Sequence, residues 1–355
     1  MKILNSCPFN LKDDKIRVLW EITPRCNMNC KHCLFFQSND KSIKEEMNTK
    51  ECFKIIENLS KEEKLDSIWL SGGEPLLRND IVSICKKISE YGIKPSISTN
   101  GILLTKTLID DLYQSGVRYI YLSIDGANAK THDKLRGVNG AFKKLMEVMD
   151  LLKNSRIETG ASFMVTEDSI GEMEEVIKIA KEKKLSVISF YLVAQLGRGA
   201  DNFKKESNNL IENLQNKIKE IKKDNNHEIR IEVFRADKWE DEEKSMLQEC
   251  KGEQFFNIMY NGELGACPWL MKSEEKFSVG SILEEDFIKL EKKCKIKMEQ
   301  KKLERNKKLT YCRNCTEKND CGKGCMALQI NKNMLYSGLD PICPVLQKEN
   351  QKCLI

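Results

Sequence analysis

Residues 18–33 read VLWEITPRCNMNCKHC, and this stretch decides both the fold and the chemistry. Val18–Ile22 is a short apolar and β-branched run, which is typical of a buried strand. Cys26, Cys30 and Cys33 follow it with the spacing CxxxCxxC. We therefore expect three thiols on a loop at the carboxyl end of a first strand.

The same strand pattern recurs along the chain, and helical patterns separate its copies. Between the first two strands, apolar residues at 52, 55, 56 and 59 have helical spacing, with Thr49 as the predicted N-cap. Strands that alternate with helices indicate a parallel sheet. Six such units predict the α/β class and a partial (β/α)6 TIM-like barrel, with its chemistry at the C-terminal strand ends. The other five predicted strands are Ser67–Leu70, Pro95–Ser98, Tyr119–Ile124, Thr159–Val165 and Val187–Val193.

The pattern changes after residue 235. Phe255–Tyr260 and Glu263–Ala266, with Asn261-Gly262 between them, predict a β-hairpin with a tight turn. The lysine-rich stretch Lys292–Lys308 is interpreted as a solvated helix face, with docking of an acidic partner as the alternative. We predict an N-terminal extension (1–16), the barrel (17–235) and a small cysteine-rich domain (236–355).

Composition narrows the class of protein. The 355 residues carry 59 basic and 54 acidic side chains, and this near balance argues against a general nucleic-acid role. The sequence has neither a signal peptide nor an apolar run of membrane-spanning length, so we expect a cytoplasmic protein without a membrane partner. Without secretion, the 15 cysteines favour metal or iron–sulfur ligation over disulfides.

Three closely spaced thiolates suit one four-iron four-sulfur cubane and leave one iron without a protein ligand. An open coordination site is where a cofactor or substrate binds a metal. A structural zinc loop is the alternative, but zinc takes four ligands, and His32, next to Cys33, is badly placed to be the fourth.

Small polar residues end the next three predicted strands. The second ends in Ser71-Gly-Gly-Glu-Pro75, the third in Ser98-Thr-Asn-Gly101 and the fourth in Leu122-Ser-Ile-Asp-Gly126. Two glycines at a strand end allow a backbone to approach a ligand closely. We therefore expect a ligand site on the rim that carries the cysteines.

These motifs, in this order, resemble the radical S-adenosylmethionine superfamily over residues 17–235. The resemblance implies that a reduced cluster splits S-adenosylmethionine and that the resulting 5′-deoxyadenosyl radical removes a hydrogen from the substrate. It also implies an electron donor such as flavodoxin or ferredoxin. The implied cluster ligands are Cys26, Cys30 and Cys33, and the implied cofactor contacts are Gly72, Gly73, Glu74, Ser98, Asn100, Ser123 and Arg136.

Seven cysteines of the C-terminal domain resemble the SPASM domain, which holds two auxiliary clusters. By resemblance, Cys312, Cys315, Cys321 and Cys343 hold one four-iron four-sulfur cluster completely. Cys250, Cys267 and Cys325 hold the other and lack a fourth assigned cysteine. A pair of zinc knuckles is the alternative. The chain would thus carry three clusters. Of the remaining cysteines, Cys52 and Cys85 are predicted core residues, and Cys7, Cys294 and Cys353 have no assigned role.

The reaction stays open among related classes. Sulfatase maturases carry an Asp after the second auxiliary cysteine, whereas this chain has Cys267-Pro268, so that activity is disfavoured. Gly265-Ala-Cys-Pro268 and Gly197-Arg-Gly199 look more like enzymes that crosslink, epimerise or decarboxylate ribosomally made peptides. Modification of a small molecule or tetrapyrrole side chain is the main alternative, and a non-catalytic iron–sulfur or zinc protein is the last.

A peptide substrate needs a leader-binding device. About sixteen residues precede the first predicted strand, too few for a strand-adding leader module. We therefore expect a separate leader-binding protein, or an acidic leader bound by Lys292–Lys308.

Overall fold

The computed structural model describes most of the chain. The described residues are 14–35, 46–193, 196–203, 208–223, 229–234, 254–273, 277–309, 312, 314–315 and 323–330. Five cysteines lie outside them: Cys7, Cys250, Cys321, Cys343 and Cys353. The predicted boundary between residues 235 and 236 also lies outside them.

Seven parallel strands form the barrel sheet, each paired with the next in sequence. All six predicted strands are present. The seventh was not predicted, and it extends the sheet beyond the sixth strand. The sheet is open, which confirms a partial barrel. The strands are β1 (Ile16–Thr23), β2 (Leu65–Gly72), β3 (Lys94–Thr99), β4 (Tyr119–Ser123), β5 (Glu158–Val165), β6 (Val187–Leu192) and β7 (Arg230–Phe234).

Helices follow the strands, and five of those described each bury one apolar stripe. In the first helix the buried residues are the predicted ones at 52, 55, 56 and 59. The predicted N-cap was wrong by one residue: Asn48 caps the helix in a capping box with Glu51, and Thr49 is its first residue. The helices are α1 (Thr49–Leu59), α2 (Ile81–Glu90), α3 (Lys106–Gln114), α4 (Ala129–Arg136), α5 (Ala141–Lys153), α6 (Met173–Glu182), α7 (Arg198–Asn202) and α8 (Asn208–Lys223). The five that bury an apolar stripe are α1, α2, α3, α5 and α6.

The two faces of the sheet differ in character because side chains alternate along a strand. On β1, Val18, Trp20 and Ile22 are fully buried against the helices. The opposite, inward face carries Glu21, which the register aligns with Ser71 of β2. Parallel sheets usually bury both faces with apolar residues. A polar inner face is what a ligand cavity requires.

The predicted hairpin is present, and it belongs to the same sheet. Strand β8 (Phe255–Ile258) pairs in parallel with β1, and β9 (Glu263–Gly265) returns antiparallel to β8. The turn differs from the expectation: the Gly262 N–H donates to the Met259 carbonyl, and Gly262 has φ +85°. The loop is therefore a β-turn followed by a glycine bulge, not a two-residue turn centred on Asn261-Gly262.

The described part of the C-terminal region continues with β10 (Gly280–Ser281), which pairs with β9, and with three helices. These are α9 (Pro268–Lys272), α10 (Phe287–Lys308) and α11 (Met326–Ile330). Helix α10 contains the lysine-rich stretch. Several of its lysines pair with nearby carboxylates, such as Lys293 with Glu285 at 2.5 Å and Lys295 with Glu291 at 2.6 Å. This pairing favours the interpretation as a solvated helix face.

Among the described helices, none is both long enough and apolar enough to cross a bilayer.

Candidate active site

The loop that carries the first three cysteines leaves β1 and is fixed from two sides. On one side, the Asn29 and Lys31 N–H groups donate to the carbonyls of Arg136 (3.2 Å) and Leu135 (2.9 Å), at the end of α4. On the other side, the Arg198 N–H at the start of α7 donates to the Cys33 carbonyl at 2.9 Å. Backbone hydrogen bonds from both sides therefore fix the position of the cysteine loop.

The loop brings Cys26, Cys30 and Cys33 together in one small apolar cluster with Met28 and Ala141. Burial, opposed by a backbone hydrogen bond, raises the pKa of the Cys26 thiol to about 11, and burial also raises that of Cys30. A bound iron would reverse this preference, because a coordinating thiol is deprotonated. Three thiols on one loop, with an apolar surround, fit a cubane.

The zinc alternative loses its proposed fourth ligand in this arrangement. His32 Nε2 lies 3.3 Å from Asp125 Oδ2, so its side chain is directed to a carboxylate. Burial, opposed by Asp125, lowers the His32 pKa to about 4. Within the described parts of the chain, no three His, Cys, Asp or Glu side chains converge on a single ion. Thiols at different corners of a cubane lie farther apart than ligands of one ion.

Gly72 and Gly73 lie where β2 ends against the start of the cysteine loop. The Gly73 and Glu74 N–H groups donate to the carbonyls of Thr23 and Arg25, both at 2.8 Å. A Cβ on Gly73 would lie 2.1 Å from the Arg25 oxygen, and one on Gly72 would lie 2.6 Å from the Thr23 oxygen. Only glycine fits here, because two backbones touch. The close approach is to the cysteine loop itself.

Glu74 is fully buried and accepts three hydrogen bonds from the protein. The donors are the Thr99 hydroxyl (2.7 Å), the Asn100 N–H (2.9 Å) and the Leu76 N–H (3.1 Å). Burial raises its pKa, and these hydrogen bonds oppose the rise. The carboxyl group thus joins the ends of β2 and β3.

The remaining predicted polar residues lie around the same rim. The Asn100 side-chain amide donates to Asn27 Oδ1 at 2.8 Å, which joins the end of β3 to the cysteine loop. Ser98 is aligned with Tyr121, and Ser123 lies two residues beyond Tyr121 on β4. Because strand residues alternate, both serines share the inward face with Tyr121. Their contact with a cofactor remains a prediction.

Arg136, the last residue of α4, is buried beside the cysteines. Its Nη1 lies 3.6 Å from Cys30 Sγ, and its Nε lies 2.6 Å from Asp125 Oδ2. Asp125 is fully buried, accepts the Met164 N–H at 2.9 Å and directs its own N–H to His132 Nδ1 at 3.1 Å. Desolvation would raise the pKa of this carboxyl group, but Arg136 and the two histidines hold it below its usual value. The contact predicted for Arg136, a cofactor carboxylate, remains a prediction.

The sequence indicates Asp125 only as part of a polar strand end, and it predicts no role for Asn27 or His132. The signal for Asp125 was its position directly before Gly126 at the end of a strand. Nothing in the local sequence indicates that Arg136, eleven positions later, would return to it.

Two of the predicted auxiliary ligands lie near each other. Cys267 and Cys325 each immediately precede a short helix, and these helices, α9 and α11, contact one another. Trp269 and Cys325 both pack against Leu196. Arg305 of α10 donates to the Gly324 carbonyl at 3.3 Å, next to Cys325. Cys312 and Cys315 are described and half-buried.

Three other cysteines are core residues. Cys52, Cys85 and Cys294 are each 0% exposed. Burial raises the pKa of each thiol to about 12. The predicted core roles of Cys52 and Cys85 are confirmed, and Cys294 joins them.

Comparisons with known proteins relate the N-terminal part of the chain to one family. The family model of the Radical SAM superfamily matches residues 20–193, which contain the cysteine loop and the rim of strands β1–β6. Residues 20–193 thus form a domain of the Radical SAM superfamily.

Particular relatives differ in how much of the chain they match. Fe-coproporphyrin III synthase of Methanosarcina barkeri is 32% identical over 189 residues, 53% of this chain and 47% of the relative. The chain thus spans about half the length of that relative. Mycofactocin maturase MftC of Mycolicibacterium smegmatis is 26% identical over 96% of this chain and 87% of its own length.

Among solved structures, Streptococcus suis SuiB bound to the precursor peptide SuiA has a TM-score of 0.73 at 17% identity. The match covers 95% of this chain and 77% of SuiB. At this identity the likeness shows the fold alone. It includes the C-terminal region as well as the partial barrel.

Proposed function

We propose that this enzyme modifies a ribosomally made peptide. The supporting observation is the extent of the similarity to a mycofactocin maturase, which reaches 96% of the chain. The similarity to Fe-coproporphyrin III synthase covers 189 residues, about the length of the matched family region. A match of that length covers the shared barrel and not the C-terminal region.

We further propose that Cys26, Cys30 and Cys33 hold a four-iron four-sulfur cluster with one open iron for S-adenosylmethionine. When bound, cluster and cofactor supply a 5′-deoxyadenosyl radical. The chain's own residues hold the site. Gly73 and Asn100 join two strand ends to the cysteine loop, and Ser98 and Ser123 lie on the inward face of the sheet.

The auxiliary clusters are proposed on the same basis. Cys267 and Cys325 would share one with Cys250. Cys312 and Cys315 would share the other with Cys321 and Cys343. The contact between α9 and α11 supports the first pair, because both helices start directly after a proposed ligand. Without a fourth assigned cysteine, that cluster would be the one that faces substrate.

Modification of a tetrapyrrole side chain is the second candidate. The observation that favours it is the 32% sequence identity to Fe-coproporphyrin III synthase, which is higher than the 26% identity to the mycofactocin maturase.

The test is mass spectrometry of a short peptide encoded beside the gene, co-expressed with the enzyme under anaerobic conditions. We expect a lost pair of hydrogens for a crosslink, lost carbon dioxide for a decarboxylation, or an unchanged mass with altered chirality for an epimer. The matched control replaces Cys26, Cys30 and Cys33 by Ala. An unmodified peptide together with formation of Fe-coproporphyrin III from a tetrapyrrole precursor by the purified enzyme would favour the second candidate and contradict the first.

The leader-binding route has its own test. Leader binding to α10 should weaken steeply with salt, since exposed charges are screened within about 8 Å at physiological ionic strength. Binding through a separate protein by strand addition should be much less sensitive. Binding of the leader peptide is measured over a salt series with and without small proteins encoded nearby.

A further inference from the structure

Arg136 is a buried cation between two acidic groups. It is 8% exposed, with Nη1 3.6 Å from Cys30 Sγ and Nε 2.6 Å from Asp125 Oδ2. The contact with Asp125 is an ion pair whose atoms are not aligned for a linear hydrogen bond. The contact with Cys30 has the length of an N–H donor to sulfur. The Asp125 carboxylate on one side and the Cys30 sulfur on the other hold the guanidinium in place.

The surrounding backbone fixes this arrangement. Helix α4 ends at Arg136 because Gly137, at φ +70°, closes it as a left-handed cap. A Cβ on Gly137 would lie 2.5 Å from the Asn29 carbonyl oxygen, so helix end and cysteine loop are in direct contact. The Asn29 N–H donates to the Arg136 carbonyl. Both the backbone and the side chain of Arg136 therefore contact the loop around Cys30.

We propose that Arg136 is a positioning residue that donates a hydrogen bond to the Cys30 thiolate and raises the reduction potential of the cluster on Cys26, Cys30 and Cys33. Asp125 orients Arg136 and partly offsets its charge. This inference rests on the cluster in the proposed function. Hydrogen bonds to sulfur and nearby charges tune cluster potentials. A cation favours the reduced state, which carries one more negative charge.

This role differs from contact with a cofactor carboxylate. A residue that only binds cofactor would alter S-adenosylmethionine affinity and leave the potential of the cofactor-free cluster unchanged. A residue that donates a hydrogen bond to the Cys30 thiolate alters the reduction potential of the cofactor-free cluster directly. Measuring the potential without cofactor therefore separates the two roles.

The test is a redox titration of the reconstituted full-length enzyme, followed by electron paramagnetic resonance. The relevant cluster is identified as the signal that changes when S-adenosylmethionine is added. Arg136→Met should lower its potential, with about a tenfold shift in the ratio of reduced to oxidised cluster, or about 59 mV for one electron. Arg136→Lys, which keeps the charge, should lower it less. Asp125→Asn, which removes a negative charge, should raise it.

Arg118→Gln is the matched control. Arg118 lies just before β4, at the opposite end of the strand from Asp125, and donates to the Tyr113 and Val117 carbonyls. Its variant should leave the potential unchanged.

Opposite shifts in Arg136→Met and Asp125→Asn support the inference, since general loosening of the site would move both the same way. Unchanged potentials in the variants, with weakened cofactor binding, would overturn it. If Arg136→Met does not retain a cluster, the comparison uses Arg136→Lys and Asp125→Asn. A lowered potential in the first and a raised potential in the second support the inference, and unchanged potentials in both overturn it. A wild-type enzyme without any cofactor-responsive signal would overturn the proposed function itself.

Discussion

Replacing Gly73 by alanine would put a methyl group where the cysteine loop already runs. The new Cβ would lie 2.1 Å from the Arg25 carbonyl oxygen and 2.6 Å from its carbon. Ordinary contacts between heavy atoms are about 3.5 Å or longer, so the Arg25 carbonyl must retreat by more than about 1 Å. Cys26 follows Arg25 directly, and the Glu74 N–H bond to that carbonyl would be lost.

The expected cost follows from these two effects. Overpacking costs about 1–3 kcal/mol and a lost hydrogen bond about 1 kcal/mol, which gives a loss of stability of about 2–4 kcal/mol. Displacing a reacting group by about 1 Å can slow a reaction about 100-fold. We therefore expect Gly73→Ala to lower the Tm and to cut the rate of 5′-deoxyadenosine formation far more than the loss of folded enzyme explains.

The assays are thermal unfolding and anaerobic cofactor cleavage with a chemical reductant. Gly171→Ala is the control, because a Cβ on Gly171 meets no heavy atom within 4 Å. It should match the wild type in both assays. A Gly73→Ala enzyme with wild-type Tm and cleavage rate would refute the close approach of the two backbones.

Three more results are expected. Arg78→Met should destabilise the fold by about 3 kcal/mol in denaturant unfolding, because it removes the ion pair with Asp80 at 2.7 Å and the buried donor to the Ile22 and Met47 carbonyls. Burial, aided by a nearby arginine, lowers the His132 pKa to about 4, so the folded state binds fewer protons than the unfolded one between about pH 4 and 6.5. Stability should fall as the pH drops through that range, and His132→Gln should reduce the slope by about 1.4 kcal/mol per pH unit. Cys267→Ala and Cys325→Ala should each lose about four irons by iron assay, and the double variant should lose no more, because both residues serve one cubane.

The strands and the outer helices could be predicted because their signals are local. The helical spacing in α1 names its buried residues correctly, and all six strands predicted from apolar runs are present. Strand β7 escaped prediction because Arg230 and Glu232 interrupt its apolar pattern. They are tolerated because they pair with each other at 3.1 Å and Glu232 accepts the Ser189 hydroxyl. The hydrogen bond from Ser189 to Glu232 forms only when β6 and β7 are adjacent.

In the candidate site, too, the local features could be predicted from the sequence and the tertiary contacts could not. Motif spacing was enough to predict three thiols on the β1 loop and a glycine pair on the β2 end. The contacts among Arg136, Asp125 and Cys30 join segments about a hundred residues apart, and only the tertiary structure brings them together. For Glu74, the sequence indicated a ligand segment but not the three internal hydrogen bonds that occupy its carboxylate.

The most direct test of the central claim is 5′-deoxyadenosine formation by the anaerobically reconstituted enzyme and by its Cys26→Ala, Cys30→Ala, Cys33→Ala triple variant. The wild type should hold about twelve irons per chain and cleave S-adenosylmethionine when reduced. The triple variant should retain about eight irons and form no 5′-deoxyadenosine. A triple variant that still cleaves the cofactor would contradict the assignment of the catalytic cluster to these three cysteines.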